Sequence, residues 1–275
     1  MTMLATDFEY DGVKLSDFGF TLCEFDSSSG IEEVSVGSAI TFNTVSRHSG
    51  KIYGLPSTQY DETIEVTFSA CKNPDDYSAI EVTSEELHDI TRWLNRREFL
   101  KMQFLYDDDD MSGRQNVYYN ASFNIAKVSL GGVIYGFTAT MITNSPFGYG
   151  DEITETISIT DTSSSFTIED QSGEIGMIYP TMKIVCNEGG DLELINSTEE
   201  CQLVINNCVA GETITIDGDT LIVSSSESGH ALYDDFNFDF FRISNTYNNR
   251  DNIITCSLLS TITITYTPIY KDSPD

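Results

Sequence analysis

Apolar and polar positions alternate along most of the chain, the pattern of strands that bury one face. Between residues 117 and 125 the odd positions carry the apolar side chains. The alternation resumes between residues 135 and 141, after the pair Gly131-Gly132, so the pattern predicts an antiparallel hairpin. Further alternating runs cover residues 63–70, 153–159, 213–217 and 261–266. Strands are therefore expected to fill most of the chain.

One segment has the spacing of a helix instead. Apolar residues recur at positions 87, 90 and 94, and Thr83 with Glu86 forms a capping box in front of them. Arginines at positions 92, 96 and 97 follow, as the helix dipole favours. The pattern predicts one helix over about residues 84–97. Trp93, the only tryptophan, lies beside the apolar stripe and is expected to pack this helix onto a sheet.

The chain divides near residue 148. The stretch 144–150 contains a proline and two glycines and ends the predicted hairpin. We therefore expect one domain over residues 1–148 and another over residues 149–275. In the second domain, Asp217-Gly218-Asp219 separates two alternating runs, which predicts a turn rather than a metal loop. The second domain is expected to be a β-sandwich without a helix.

Charge narrows the classes of partner. The 275 residues include 14 Lys and Arg against 44 Asp and Glu, a net charge of −30, while 40% hydrophobic residues are enough for folded cores. Such acidity disfavours coating nucleic acid or attaching to anionic membranes.

No secretion signal or membrane-length apolar run is present, so the chain is expected to be soluble and made in the cytoplasm. Six cysteines without a CxxC pair predict reduced thiols and no zinc site.

The most conspicuous polar feature is a run of four acids, Asp107, Asp108, Asp109 and Asp110. Calcium takes six to eight oxygens, and consecutive acids meet that demand only in a sharply turning loop. A solvated hairpin tip is therefore favoured, and a weak calcium site is the alternative.

Signatures of catalysis are missing from the sequence. Only three histidines occur, at positions 48, 88 and 230, without a GxSxG elbow, and no phosphate-binding glycine pattern is present. Forty-four acids are too many for a glycosidase pair to be singled out. We expect no enzyme, no catalytic residue and no cofactor.

Three phenylalanines alternate with polar residues near the end of the chain: Phe236, Phe238 and Phe240. Placed on one strand face, they predict a core strand. The alternative is a carbohydrate platform, in which exposed rings stack on sugars.

The order of these pieces resembles the distal tail protein family of phages with long, non-contractile tails. The resemblance rests on the following stretches: 8–12, 16–19, 51–54, 92–94, 119–141, 145–147, 179–184, 211–217, 241–247 and 252–254. Each motif alone is ordinary strand and turn chemistry, and it is their order over both domains that is specific.

This resemblance implies an all-β fold with one α-helix. The N-terminal domain would be a β-sandwich with the helix and a long belt-like hairpin, placed at about residues 31–60. Copies would close into a ring, most simply a hexamer. The C-terminal domain would be a galectin-like β-sandwich outside the ring.

The implied function is that of a structural virion protein at the tail tip, a hub ring joining the tail tube to the baseplate or adsorption apparatus. Implied partners are other copies of the chain, the tail tube protein, a tail-associated or baseplate hub protein and a receptor-binding protein. DNA would pass only as cargo, and no membrane partner is expected. The alternative is a carbohydrate-binding module that recognises host cell-wall glycans through the C-terminal sandwich.

Overall fold

The computed structural model describes residues 5–25, 40–46, 53–60, 63–73, 80–106 and 116–271. The chain forms two compact units. The first contains the residues up to Gly150 and those from Tyr270 onward, and the second spans Asp151–Ile269.

The first unit is built mainly from strands. Its elements are β1 (Asp7–Tyr10), β2 (Val13–Lys14), a 3₁₀ turn (Leu15–Phe18), β3 (Phe20–Cys23), β4 (Ile40–Ser46), β5 (Tyr53–Tyr60), β6 (Glu65–Lys72), α1 (Ser84–Leu94), β7 (Leu100–Leu105), β8 (Tyr119–Leu130), β9 (Val133–Thr143) and β10 (Gly148–Tyr149). Seven strands form one sheet in the order β2-β1-β7-β8-β9-β6-β3, in which every described pairing is antiparallel.

This sheet bends back on itself around an aromatic core. Three strands separate β1 from β6, so a flat sheet would hold them about 19 Å apart at the usual strand spacing. Instead the rings of Phe8 and Phe68 lie 5.3 Å apart, and the backbone N–H of Leu22 in β3 donates to the carbonyl of Thr6, 3.3 Å away. The two layers of the first unit are therefore halves of one curled sheet.

The helix α1 closes this core. Thr83 and Glu86 form the predicted capping box, with Glu86 N–H donating to Thr83 Oγ1 and Thr83 N–H to Glu86 Oε2. Trp93 stacks on Phe8 at 5.4 Å, and its indole N–H donates to the Tyr10 carbonyl at 3.1 Å. The prediction that Trp93 packs the helix onto a sheet is confirmed. The helix ends at Leu94 rather than at residue 97, because Asn95 caps it.

Two hairpins extend the first unit. The predicted hairpin of β8 and β9 is confirmed and turns at Gly131 and Gly132, whose φ values of 63° and 90° suit glycine. Strands β4 and β5 pair antiparallel as a separate two-stranded sheet, within the range expected for the belt hairpin. Among the described residues, β4 and β5 pair with no third strand. Residues 31–39 and 47–52 of the expected belt lie outside the described residues.

The second unit is a sandwich of two sheets. Its strands are β11 (Ile153–Ile159), β12 (Ser165–Glu169), β13 (Gly176–Ile178), β14 (Thr181–Cys186), β15 (Gly190–Asn196), β16 (Cys201–Cys208), β17 (Thr213–Ile216), β18 (Val223–Ser225), β19 (Ile243–Asn245), β20 (Asp251–Cys256) and β21 (Ser260–Tyr266), followed by β22 (Ile269–Tyr270). One sheet has the order β11-β21-β14-β17-β18 and the other has the order β12-β20-β15-β16, while β13 pairs with β19. The inward residues of both large sheets share one apolar core.

The all-β class is confirmed, and α1 is the one helix of ordinary length in the described ranges. The expectation that the second unit lacks helix needs a correction, since Leu232–Asp235 form one short turn, α2. The hairpin predicted around Asp217-Gly218 is confirmed as β17 and β18, with Ile216 opposite Val223.

The aromatic core of the first unit yields a stability prediction. Phe8 is fully buried and contacts Phe68, Trp93 and Phe123, so Phe8→Ala opens a cavity between sheet and helix. We expect the free energy of unfolding to fall by about 3–5 kcal/mol, measured by urea denaturation. Leu130→Ala, at a side chain that is 76% exposed at the hairpin tip, is the control and should change stability by less than about 0.5 kcal/mol. Equal effects of the two variants would show that the core is not organised around Phe8.

Candidate functional site

Residues 235–239 lie along the free edge of the four-stranded sheet. Strand β16 is last in that sheet, so its outer backbone groups need partners. Phe236 makes one isolated bridge to Ile205, and Asn237 N–H donates to the Val204 carbonyl at 3.1 Å. The prediction of a core strand through residues 236, 238 and 240 needs a correction. Phe236 lies in the apolar core and Phe240 packs against it, as predicted, but Phe238 is exposed and the segment makes one bridge instead of a strand.

The side chain of Asn237 takes the place of a peptide group. Its Oδ1 accepts from the Val204 N–H at 3.1 Å, and its Nδ2 donates to the Gln202 carbonyl at 2.7 Å. Asp239 continues the pattern by accepting the Gln202 N–H at 2.9 Å. The edge of β16 is thus satisfied by side chains where a neighbouring strand would otherwise lie.

Phe238 lies between these two anchors and points outward. Its side chain is 58% exposed, and its φ of 59° is left-handed, which is uncommon for a bulky residue and costs roughly 1–3 kcal/mol. Phe236 behind it is only 4% exposed, and Phe240 is half-buried. The structure therefore brings the three predicted phenylalanines together, with ring centroids 5.1 Å from Phe236 to each of the others, but exposes mainly one of them.

Several carboxylates and one arginine occur on residues next to this aromatic cluster or bonded to them. Arg242 Nη1 bonds to Asp239 Oδ1 at 2.9 Å, and Arg242 Nε bonds to Glu199 Oε1 at 3.3 Å. Asp234 and Asp235 precede the cluster on α2, so acids outnumber the arginine.

A buried ion pair anchors the segment that leads into α2. Glu212 is 0% exposed, and its Oε1 contacts His230 Nδ1 at 2.6 Å and Ser225 Oγ at 2.5 Å. The other oxygen, Oε2, accepts the Val209 N–H at 2.9 Å. His230 Nε2 lies 3.0 Å from the Asn206 carbonyl and 3.4 Å from Asp235 Oδ2. His230 lies in the loop before α2, and its side chain is only 4% exposed.

These contacts favour the charged form of the histidine. A carbonyl and carboxylates can only accept, so both imidazole nitrogens carry protons. Burial alone would lower the pKa of His230, but the hydrogen bond and charge of Glu212 outweigh burial and raise it. Burial alone would raise the pKa of Glu212, but its bonds to Ser225, His230 and Val209 lower it.

No metal site is visible among the residues that the structure describes. Asp107, Asp108, Asp109 and Asp110 lie outside those residues. The carboxylate of Asp217 bonds within its own turn, since Oδ1 accepts from Asp219 N–H, Thr220 N–H and Thr220 Oγ1.

All six cysteines are free thiols, and four of them are buried. Cys23 and Cys71, on neighbouring strands of the first unit, hydrogen-bond to each other. That bond raises the pKa of the Cys23 thiol and lowers the pKa of the Cys71 thiol to about 7. In the described part of the chain, no helix is both long and apolar enough to cross a membrane.

Comparison with known families covers both units. Residues 3–145 match the model of a phage tail protein N-terminal domain, and residues 147–266 match the model of a phage tail C-terminal domain. The chain belongs to this phage tail protein family. No curated protein matches it in sequence.

The fold of this phage tail protein is similar to the crystal structure of the Dit (gp 19.1) protein of phage SPP1. The TM-score is 0.63 at 14% identity, over 95% of this chain and 98% of that chain. The SPP1 protein is described as a paradigm of the hub adsorption apparatus in phages that infect Gram-positive bacteria. At this identity, the likeness shows a shared fold.

Sequence reasoning missed two features of the site. Glu212 and His230 are 18 residues apart, so their pairing depends on the fold. The only hint in the sequence is that histidine is rare and acids are abundant, which is a weak signal of an ion pair. The side-chain capping by Asn237 was hidden by the alternating phenylalanines, although Asn and Asp between them are typical of turns.

The buried pair predicts a pH-dependent stability. A raised pKa means that the contribution of His230 is complete below its ordinary value of 6.5 and is lost as pH rises through the raised value. A lowered pKa means that the contribution of Glu212 is complete above its ordinary value of 4.5 and is lost as pH falls through the lowered value. We expect the pair to stabilise most between pH 4.5 and 6.5.

The variant His230→Gln tests this prediction by urea denaturation between pH 4 and 9. It should lose about 1–3 kcal/mol near pH 5.5, since Glu212 loses its charged partner, and the difference from the unmodified protein should shrink at high pH. His88→Gln, at an exposed position on α1, is the matched control and should show no such pH profile. A constant difference across the range would contradict the ion pair.

Proposed function

We propose that this phage tail protein is a distal tail hub component. Its copies close a ring that joins the tail tube to the baseplate or adsorption apparatus, and the ring is a hexamer. The observation that carries the proposal is the shared fold, which extends over both units and over nearly the full length of the SPP1 hub protein. The role is structural, in the tail tip of the virion, and no catalytic step is part of it.

The β4–β5 hairpin supplies a physical means of closing the ring. Among the described residues no third strand pairs with this two-stranded sheet, so its outer backbone groups are candidates for pairing with another copy. A hairpin laid on a neighbouring copy satisfies them by pairing between subunits. Repeated head to tail around an axis, this contact forms a closed ring.

The units divide the remaining tasks. The first unit lines the ring, and its net charge of −12 over residues 1–150 repels passing DNA, so that DNA does not adhere. The second unit, −18 over residues 151–275, lies outside and offers surfaces to baseplate, tail-associated or receptor-binding proteins. We also propose that the sandwich of the second unit is galectin-like.

Native mass spectrometry and negative-stain imaging of the purified full chain test the ring. We expect particles of six subunits at high protein concentration. Replacing residues 40–60 by a short Gly/Ser linker removes the hairpin and should give monomers. The melting temperature of this variant is measured alongside, to show that it remains folded.

Tyr247→Ser, at an exposed turn of the second unit, is the control and should leave the six-subunit particle intact. A monomer at every concentration, or rings that persist without the hairpin, would contradict the proposed assembly.

A further inference from the structure

Phe238 combines two properties that are each unfavourable for an isolated chain. An apolar ring that remains 58% exposed gains little from burial, and a left-handed φ of 59° is unfavourable for a phenylalanine. The left-handed φ accompanies the bonds of Asn237 and Asp239 to β16, and Asp239 N–H also donates to Asn237 Oδ1 at 3.2 Å, across Phe238. A residue held in such a state is a candidate for a contact outside its own chain.

The frame around Phe238 is rigid. Asn237 makes three hydrogen bonds to β16 and Asp239 makes one, at distances between 2.7 and 3.1 Å. The buried ring of Phe236 supports it from behind at 5.1 Å. A side chain held in this way loses little conformational freedom when it binds, which is the condition for strong binding by a small contact.

We propose that Phe238 is the anchor of a protein docking site and inserts into an apolar pocket, rimmed by Lys or Arg, on another protein of the tail. This inference rests on the proposed function, because it assumes that the partner is another protein of the phage tail. Aromatic side chains at the centre of an interface commonly carry most of its binding energy.

The charges near Phe238 indicate which residues should line the rim of the partner's pocket. Asp234 and Asp235 lie on α2 just before Phe236, and Asp239 directly follows Phe238. Arg242 bonds to Asp239 and Glu199, and its single positive charge balances only one of these carboxylates. His230 takes up part of the charge of Asp235. A partner with basic residues around its pocket meets this acidic frame with opposite charge.

A protein fits the site better than a glycan. Sugar binding needs polar groups beside the ring, but Asn237 uses both Oδ1 and Nδ2 within the chain, and Asp239 uses both carboxylate oxygens on Gln202 and Arg242. The second ring, Phe236, is buried and cannot extend a stacking platform. What remains is one apolar side chain in an acidic frame.

Photo-crosslinking in assembled tails tests the proposal directly. p-Benzoylphenylalanine replaces Phe238 in the full chain, the tails are purified and irradiated, and crosslinked peptides are sequenced by mass spectrometry. We expect an adduct with a second tail protein, at apolar residues flanked by Lys or Arg. The same replacement at Leu221, another exposed apolar residue with a left-handed φ of 55°, is the matched control and should give at least tenfold less.

The substitution Phe238→Asn separates docking from folding. Asparagine tolerates the left-handed backbone, so the melting temperature of the isolated chain should be unchanged or higher. The amount of the crosslinked second protein retained on purified tails should fall at least tenfold, whereas Leu221→Asn should retain it.

The following results would overturn the proposal: an adduct only with this chain or with a glycan, equal adducts from positions 238 and 221, or a melting temperature that falls in Phe238→Asn as it does for a core variant. The ring measurement is independent, because Phe238→Asn leaves the first unit and its hairpin unchanged. Rings without an adduct would refute the docking site alone. An adduct without rings would refute only the proposed assembly.

Discussion

The fold of this phage tail protein depends on how the edges of its sheets satisfy their backbone hydrogen bonds. In the first unit the seven-stranded sheet curls until Leu22 of its last strand bonds to Thr6. In the second unit the side chains of Asn237 and Asp239 cover the edge of β16. The β4–β5 hairpin differs, because no described strand covers its edges. An edge whose hydrogen bonds are satisfied within the chain stabilises that chain, whereas an unpaired edge favours pairing with another chain.

Local patterns were sufficient to predict elements whose determinants are close in sequence. The capping box at Thr83 and Glu86 located the start of α1, and the alternation before and after Gly131-Gly132 located the β8–β9 hairpin. The end of α1 was placed three residues too late, because the arginines at 96 and 97 suit a helix end and Asn95 stops it earlier.

Local sequence patterns were not sufficient to predict the structure of the candidate site. The phenylalanines at 236, 238 and 240 were found, but their alternation is the same in a strand and in a segment that caps an edge with its side chains. What distinguishes the two is a positive φ at Phe238, a property of the backbone that apolar periodicity does not encode. Likewise, Glu212 is one of 44 acids until the fold places it against His230.

The capped edge of β16 also bears on how the protein can change over evolutionary time. Its hydrogen bonds come from residues 237 and 239, and residue 238 contributes no side-chain hydrogen bond to them. Substitutions at 238 can therefore alter the outward surface while the scaffold stays intact. Under the docking role proposed for Phe238, a single substitution there changes the contact offered to a partner and leaves the capped edge of β16 in place.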